Sequence, residues 1–108
     1  MIPFINMRRS LLSLLLLSLL FGSASAKPIR VLFLGHESEH HNSNKFYPML
    51  AKGLGRDAIY FDYVTTVEGA LGDAAYLNKF DALLLYANHG RIKPGQWRNL
   101  KAFVEGGG

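Results

Sequence analysis

The chain has 108 residues, with twelve Lys or Arg, eight Asp or Glu and no cysteine. Without cysteine there is no disulfide, no thiolate metal site, no thiol nucleophile and no acylation site for a lipoprotein. The basic residues are scattered, without a run or stripe, so nucleic-acid binding has no electrostatic footprint.

Residues 1–26 read as a targeting segment rather than as fold. Arg8 and Arg9 form a basic start, Leu11 to Gly22 is almost entirely Leu, and Ala24-Ser25-Ala26 supplies small residues for cleavage. Those are the three parts of a secretory signal peptide. The apolar run is short of the roughly 20 residues a helix needs to span a bilayer. Cleavage after Ala26 is expected, with an uncleaved N-terminal anchor as the alternative. The protein is then exported, periplasmic or extracellular, and meets a membrane only through this segment. Removing it leaves 82 residues and ten basic against eight acidic groups, a net charge of +2. A chain of that size builds one small domain with a modest core.

Arg30 to Leu34, ending at Gly35, is a continuous apolar run and predicts a strand buried on both faces. A polar stretch, Gly35 to Asn44, follows. Phe46, Met49, Leu50 and Leu54 then recur at helical spacing, with Asn42 or Asn44 as N-cap and Gly55 as the stop. Pro48 must lie near the first turn of that helix, because an interior proline removes a hydrogen bond. Ile59 to Val64 is aromatic and β-branched and predicts a second strand. Thr66 to Phe80 is a weaker helical stretch interrupted by glycine. Ala82 to Ala87 predicts a third strand, broken by Asn88-His89-Gly90. Pro94 opens a last helix with Trp97, Leu100, Phe103 and Val104 as its apolar stripe and Gly106 as its stop.

Strand and helix alternate three times, which predicts an α/β domain with a parallel sheet of three strands and flanking helices. Right-handed crossovers place strand one between strands two and three. The loops after strands one and three then lie side by side at the carboxyl edge, where open α/β sheets bind ligands. Gly35, His36, Glu37, His40 and His41 from one loop would face Asn88 and His89 from the other. These seven are the candidate ligand-binding residues. In this reading strand three keeps an open edge, and Gly106-Gly107-Gly108 would lead into a further strand, so the chain reads as the N-terminal piece of a longer protein.

His36-Glu37-Ser38-Glu39-His40 also fits H-E-x-x-H, the zinc motif of metalloproteases. That chemistry needs the motif inside a helix, so that the two histidines share one face. Here the first histidine follows a strand by one glycine, and Gly35 to Asn44 has no apolar residue to hold a helix against a core. The zinc-hydrolase reading is therefore the least favoured. A divalent cation on His36, His40 and His41, a polar ligand, and a plain solvated loop all remain open. Trp97, Tyr47 and Phe103 are expected in the core. No catalytic role is assigned to any residue: there is no G-x-S-x-G elbow and no phosphate-binding glycine loop.

The segments RVLFLGHESEHHNSNKFYPML, GRDAIYFDYVTTVEGAL and FDALLLYANHGRIKPGQWRNLKAFVEGGG together resemble the start of a ThuA-like (trehalose-utilisation) domain. The match is closest to secreted versions in multidomain proteins of planctomycete-type bacteria, which carry dehydrogenase-like and haem c modules. It spans residues 27–108. The resemblance implies a class I glutamine amidotransferase-like, flavodoxin-like sheet with more strands than these residues supply. It also implies a role in sugar or disaccharide metabolism, a sugar-like ligand and downstream domains. It points to Gly35, His36, His40, His41, Asn88 and His89. A non-enzymatic docking module within a haem-containing dehydrogenase protein is the alternative, and the piece by itself is expected to be inactive.

Overall fold

The structure is a computed structural model and describes residues 27–36 and 38–108. The signal-peptide reading of residues 1–26, and the place of Glu37, lie outside the described residues. In chain order the elements are β1 (Ile29–Gly35), α1 (Ser43–Gly55), β2 (Ile59–Val64), α2 (Val67–Leu71), α3 (Ala74–Leu77), β3 (Ala82–Tyr86) and α4 (Pro94–Glu105). The strands form one parallel sheet in the order β2-β1-β3, the order expected from right-handed crossovers.

Parallel pairing puts hydrogen-bonding partners on both sides of β1, and its apolar run reflects that position. Val31, Leu32, Phe33, Leu34 and Gly35 are all buried. Successive side chains alternate between the two faces. Leu32 and Leu34 pack with Ala70, Leu71, Leu77, Phe80 and Phe103 in the main core, against α2, α3 and α4. Phe33 points to the other face, edge-on to Tyr47 of α1 and to Tyr63 of β2, whose rings stack at 4.5 Å. Burying an aliphatic or aromatic side chain of this size contributes about 1.5–3 kcal/mol, so the central strand is the chief anchor of the fold.

The strand starts are tied by polar contacts. The Arg30 amide donates to Asp81 Oδ2 at 2.8 Å, and the Asp81 amide donates to the Arg30 carbonyl at 2.8 Å. On the far face, Gln96 Nε2 donates to Glu68 Oε2 at 2.6 Å and Asn99 Nδ2 to the Leu71 carbonyl at 2.7 Å. These two bonds join α4 to the five-residue helix α2.

Several expectations need correction. Pro48 is the sixth residue of α1, not a first-turn residue, because the helix starts at Ser43, ahead of its first apolar position. Asn42, not Asn44, is the N-cap and accepts the Lys45 amide. The helix ends at Gly55 as expected, but the chain reverses three residues later, at Ala58, which takes a left-handed φ of 58°. Its carbonyl accepts the Ile29 amide at 2.9 Å, which fixes that conformation. The stretch Thr66 to Phe80 is two short helices, capped separately by Thr66 and Asp73. Trp97 is 52% exposed and Met49 65% exposed, so neither belongs to the core. Phe103 does, and Tyr47 is half-buried in the aromatic cluster.

Strand β3 forms one edge of the sheet. Leu84, Leu85 and Tyr86 are exposed, and with Phe46 and Met49 of α1 they line an open apolar groove. Among the described residues no helix is long and apolar enough to cross a membrane.

Candidate functional site

The parallel register sets Gly35 beside Tyr86 at the carboxyl ends of β1 and β3. The chain leaves both strands at the same level, so the two loops must run side by side. Two hydrogen bonds join them, both donated by the loop after β3 and accepted at the end of β1. The Asn88 amide donates to His36 Nε2 at 3.0 Å. His89 Nε2 likewise donates to the Gly35 carbonyl at 2.9 Å. The ring centroids of His36 and His89 are 5.0 Å apart, edge to face. His41 lies 6.1 Å from His36 and 5.8 Å from the ring of Tyr86.

These contacts settle the form of His36. A ring nitrogen that accepts a backbone N–H carries no proton, so the neutral ring holds its proton on Nδ1. Nδ1 is buried and has no hydrogen-bond partner among the described residues. An unpaired buried donor is uncommon in folded proteins and marks a place where polar chemistry is under-satisfied.

The main chain of His36 is held as firmly as its ring. Ser43, fully buried at the start of α1, accepts the His36 amide at 2.9 Å and lies 2.9 Å from the His36 carbonyl. The same hydroxyl is 2.8 Å from the hydroxyl of Tyr63, which donates to Asn44 Oδ1. The single Ser43 proton is shared between the His36 carbonyl and Tyr63. Gly35 makes this approach feasible. A Cβ there would overlap Ser43 Oγ and come within 2.7 Å of the Tyr63 ring.

Of the expected site residues, the structure brings together Gly35, His36, His41, Asn88 and His89. His40 is exposed in the turn before α1 and stands apart from them. Residues 38–41 form a turn, not a helix, so His36 and His40 do not share a helical face and the zinc-protease geometry is absent. The cation set His36, His40 and His41 is likewise not assembled. Among the described residues no three His, Asp or Glu side chains lie close enough to hold a metal ion. The Nε2 atoms of His36 and His89 are also already engaged with backbone.

Ser43 and Tyr63 are the members that sequence reading missed. Ser43 passes for an ordinary first-turn residue, and Tyr63 for a strand aromatic. A signal did exist: Tyr63 pairs with Phe33 and lies two residues before Thr65, at the same carboxyl edge as Gly35. Beside the loops, an apolar cavity is lined by Leu34, Val67, Leu83 and Leu100 together with Asn88 and His89. No family model, curated protein or solved structure matches the chain.

Proposed function

We propose that the chain is the N-terminal part of an exported ThuA-like domain of the class I glutamine amidotransferase-like fold. It takes a sugar-like ligand at the carboxyl ends of β1 and β3. The observation that carries this reading is the pair of hydrogen bonds that the loop after β3 donates to the end of β1 and its loop. It holds four of the seven ligand candidates, Gly35, His36, Asn88 and His89, in one place with fixed tautomers and with His41 beside them, at the edge where α/β sheets bind ligands. The chemistry supports hydrogen-bond recognition: imidazoles and an amide offer donors and acceptors to hydroxyls, with the Tyr86 ring beside them for an apolar sugar face. No nucleophile is positioned among the described residues, so binding rather than turnover is the expected property of this piece. Calorimetry of the full chain against disaccharides and their keto derivatives tests it. Saturable heat that disappears in His36→Ala and His89→Ala supports the reading, and no heat with a folded protein refutes it.

A docking module within a larger haem-containing dehydrogenase protein is the second reading, favoured by one observation. The open edge of β3 and the groove between it and α1 present Phe46, Met49, Leu84, Leu85 and Tyr86 to solvent. Exposed apolar surface on a sheet edge serves for strand addition or domain contact. Under this reading Met49→Lys with Leu85→Lys abolishes association with the downstream domains and leaves sugar titrations unchanged.

A further inference from the structure

We infer that His36 is a pH-operated latch between the loops after β1 and β3. Three observations lead there. The His36 ring contacts the second loop by accepting a backbone N–H, the Asn88 amide, at 3.0 Å. A protonated imidazole carries N–H on both nitrogens and accepts from neither, so the bond exists only while His36 is neutral. The second bond, His89 Nε2 to the Gly35 carbonyl, uses His89 as donor and survives its protonation. Protonation therefore breaks the first bond and leaves the second in place.

The surroundings reinforce the asymmetry. Among the described residues the titratable groups that face His36 are His89 from the β3 loop and His41 from the turn before α1, with Tyr86 of β3 beyond His41. On the β2 side, Tyr63 reaches it through Ser43. Two of these neighbours are histidines, which can themselves carry positive charge. A charge on His89 or His41, rings 5.0 and 6.1 Å away, repels one on His36, so full acidification pushes the rings apart. The His36 main chain stays pinned by Ser43 through bonds that carry no titrating group. The ring swings free while the backbone stays, and the loop after β3 loses its tie to β1 at Asn88.

The latch is closed while His36 is neutral and opens as the pH falls through its titration. It stands whether or not the edge binds a sugar, and its test contains no ligand.

The test is nitrogen-15 NMR of the full chain between about pH 8 and about pH 5. Long-range proton–nitrogen correlations report which nitrogen of His36 is protonated, and the Asn88 amide reports the bond. At the upper end the His36 proton is expected on Nδ1. The Asn88 shift should then follow the His36 titration. Its exchange protection, taken relative to the intrinsic rate at each pH, should fall about two- to tenfold, the worth of one such bond. In His36→Gln, which cannot titrate, Asn88 should lose this dependence. A proton on Nε2 at the upper end overturns the latch in the wild-type chain alone. So does an Asn88 amide that stays unmoved as His36 titrates, or one that keeps its dependence in the variant.

Discussion

Replacing Ser43 by Ala removes a single oxygen, yet that oxygen holds three groups. It accepts the His36 amide at 2.9 Å, and its proton serves the His36 carbonyl at 2.9 Å or the Tyr63 hydroxyl at 2.8 Å. Ser43 is fully buried, so water does not replace it at its own position. Leaving a buried donor unpaired costs about 1–3 kcal/mol. Alanine is the better helix former by up to roughly 0.5 kcal/mol, which offsets a little. The net loss is then about 0.5–2.5 kcal/mol, and for a domain of this size Tm falls by about 2–20 °C. Urea and thermal unfolding followed by far-UV circular dichroism measure it. Tyr63→Phe, which leaves the Ser43–His36 bonds in place, should cost less, about 0.5–1.5 kcal/mol. If Ser43→Ala unfolds with the wild-type midpoint and leaves the His36 and Asn88 amide signals unmoved, the pinning of the β1 loop through Ser43 is wrong.

Gly35→Ala places a methyl group against Ser43 and the Tyr63 ring. It should cost about 1–3 kcal/mol as overpacking, and less in a Ser43→Gly background, where a double-mutant cycle reads the coupling. Ala58→Gly should raise stability by about 0.5–1 kcal/mol. It relieves a left-handed residue, an arrangement that costs a residue with a Cβ about 1–2 kcal/mol, against the greater chain entropy of glycine. Tyr76 is held above its ordinary pKa of 10.0, first by burial and then by the Asp62 carboxylate, with Arg30 opposing. Because the folded state keeps that proton longer, its contribution is present below pH 10.0 and is lost as the pH rises through the raised value. Urea midpoints should therefore fall above pH 10.0, less so in Tyr76→Phe.

Much of the fold was legible because β1 is a central parallel strand. Both its faces are covered, so Val31 to Leu34 is uninterrupted apolar sequence, and crossover handedness leaves one simple strand order. The meeting of His36 with Asn88 and His89 followed from that order alone. Exposure at the edges was not legible. Met49 and Trp97 sit at helical apolar positions, but whether such a position is buried depends on how much sheet lies beneath it, and three strands cover little. Pro48 misled for a related reason. The helix start is set by the Asn42 cap and by Ser43 bonding across to the β1 loop, not by the first apolar residue. The Ser43–Tyr63 pair joins residues twenty apart through side-chain oxygens, and no periodicity carries that information. The separate roles of His40 and His41 also escaped pattern, since only the turn geometry sends one to solvent and the other to His36.

The central claim is that the two loops form one binding edge. Amide chemical-shift mapping of the full chain, titrated with a series of disaccharides and their keto derivatives, tests it most directly. The account predicts saturable shifts at Gly35, His36, His41, Asn88 and His89, with the start of α1 following through Ser43 and the α2 and α4 face unmoved. Shifts confined to the groove of Phe46, Met49 and Leu85, or no shift with any sugar in a folded protein, would contradict it.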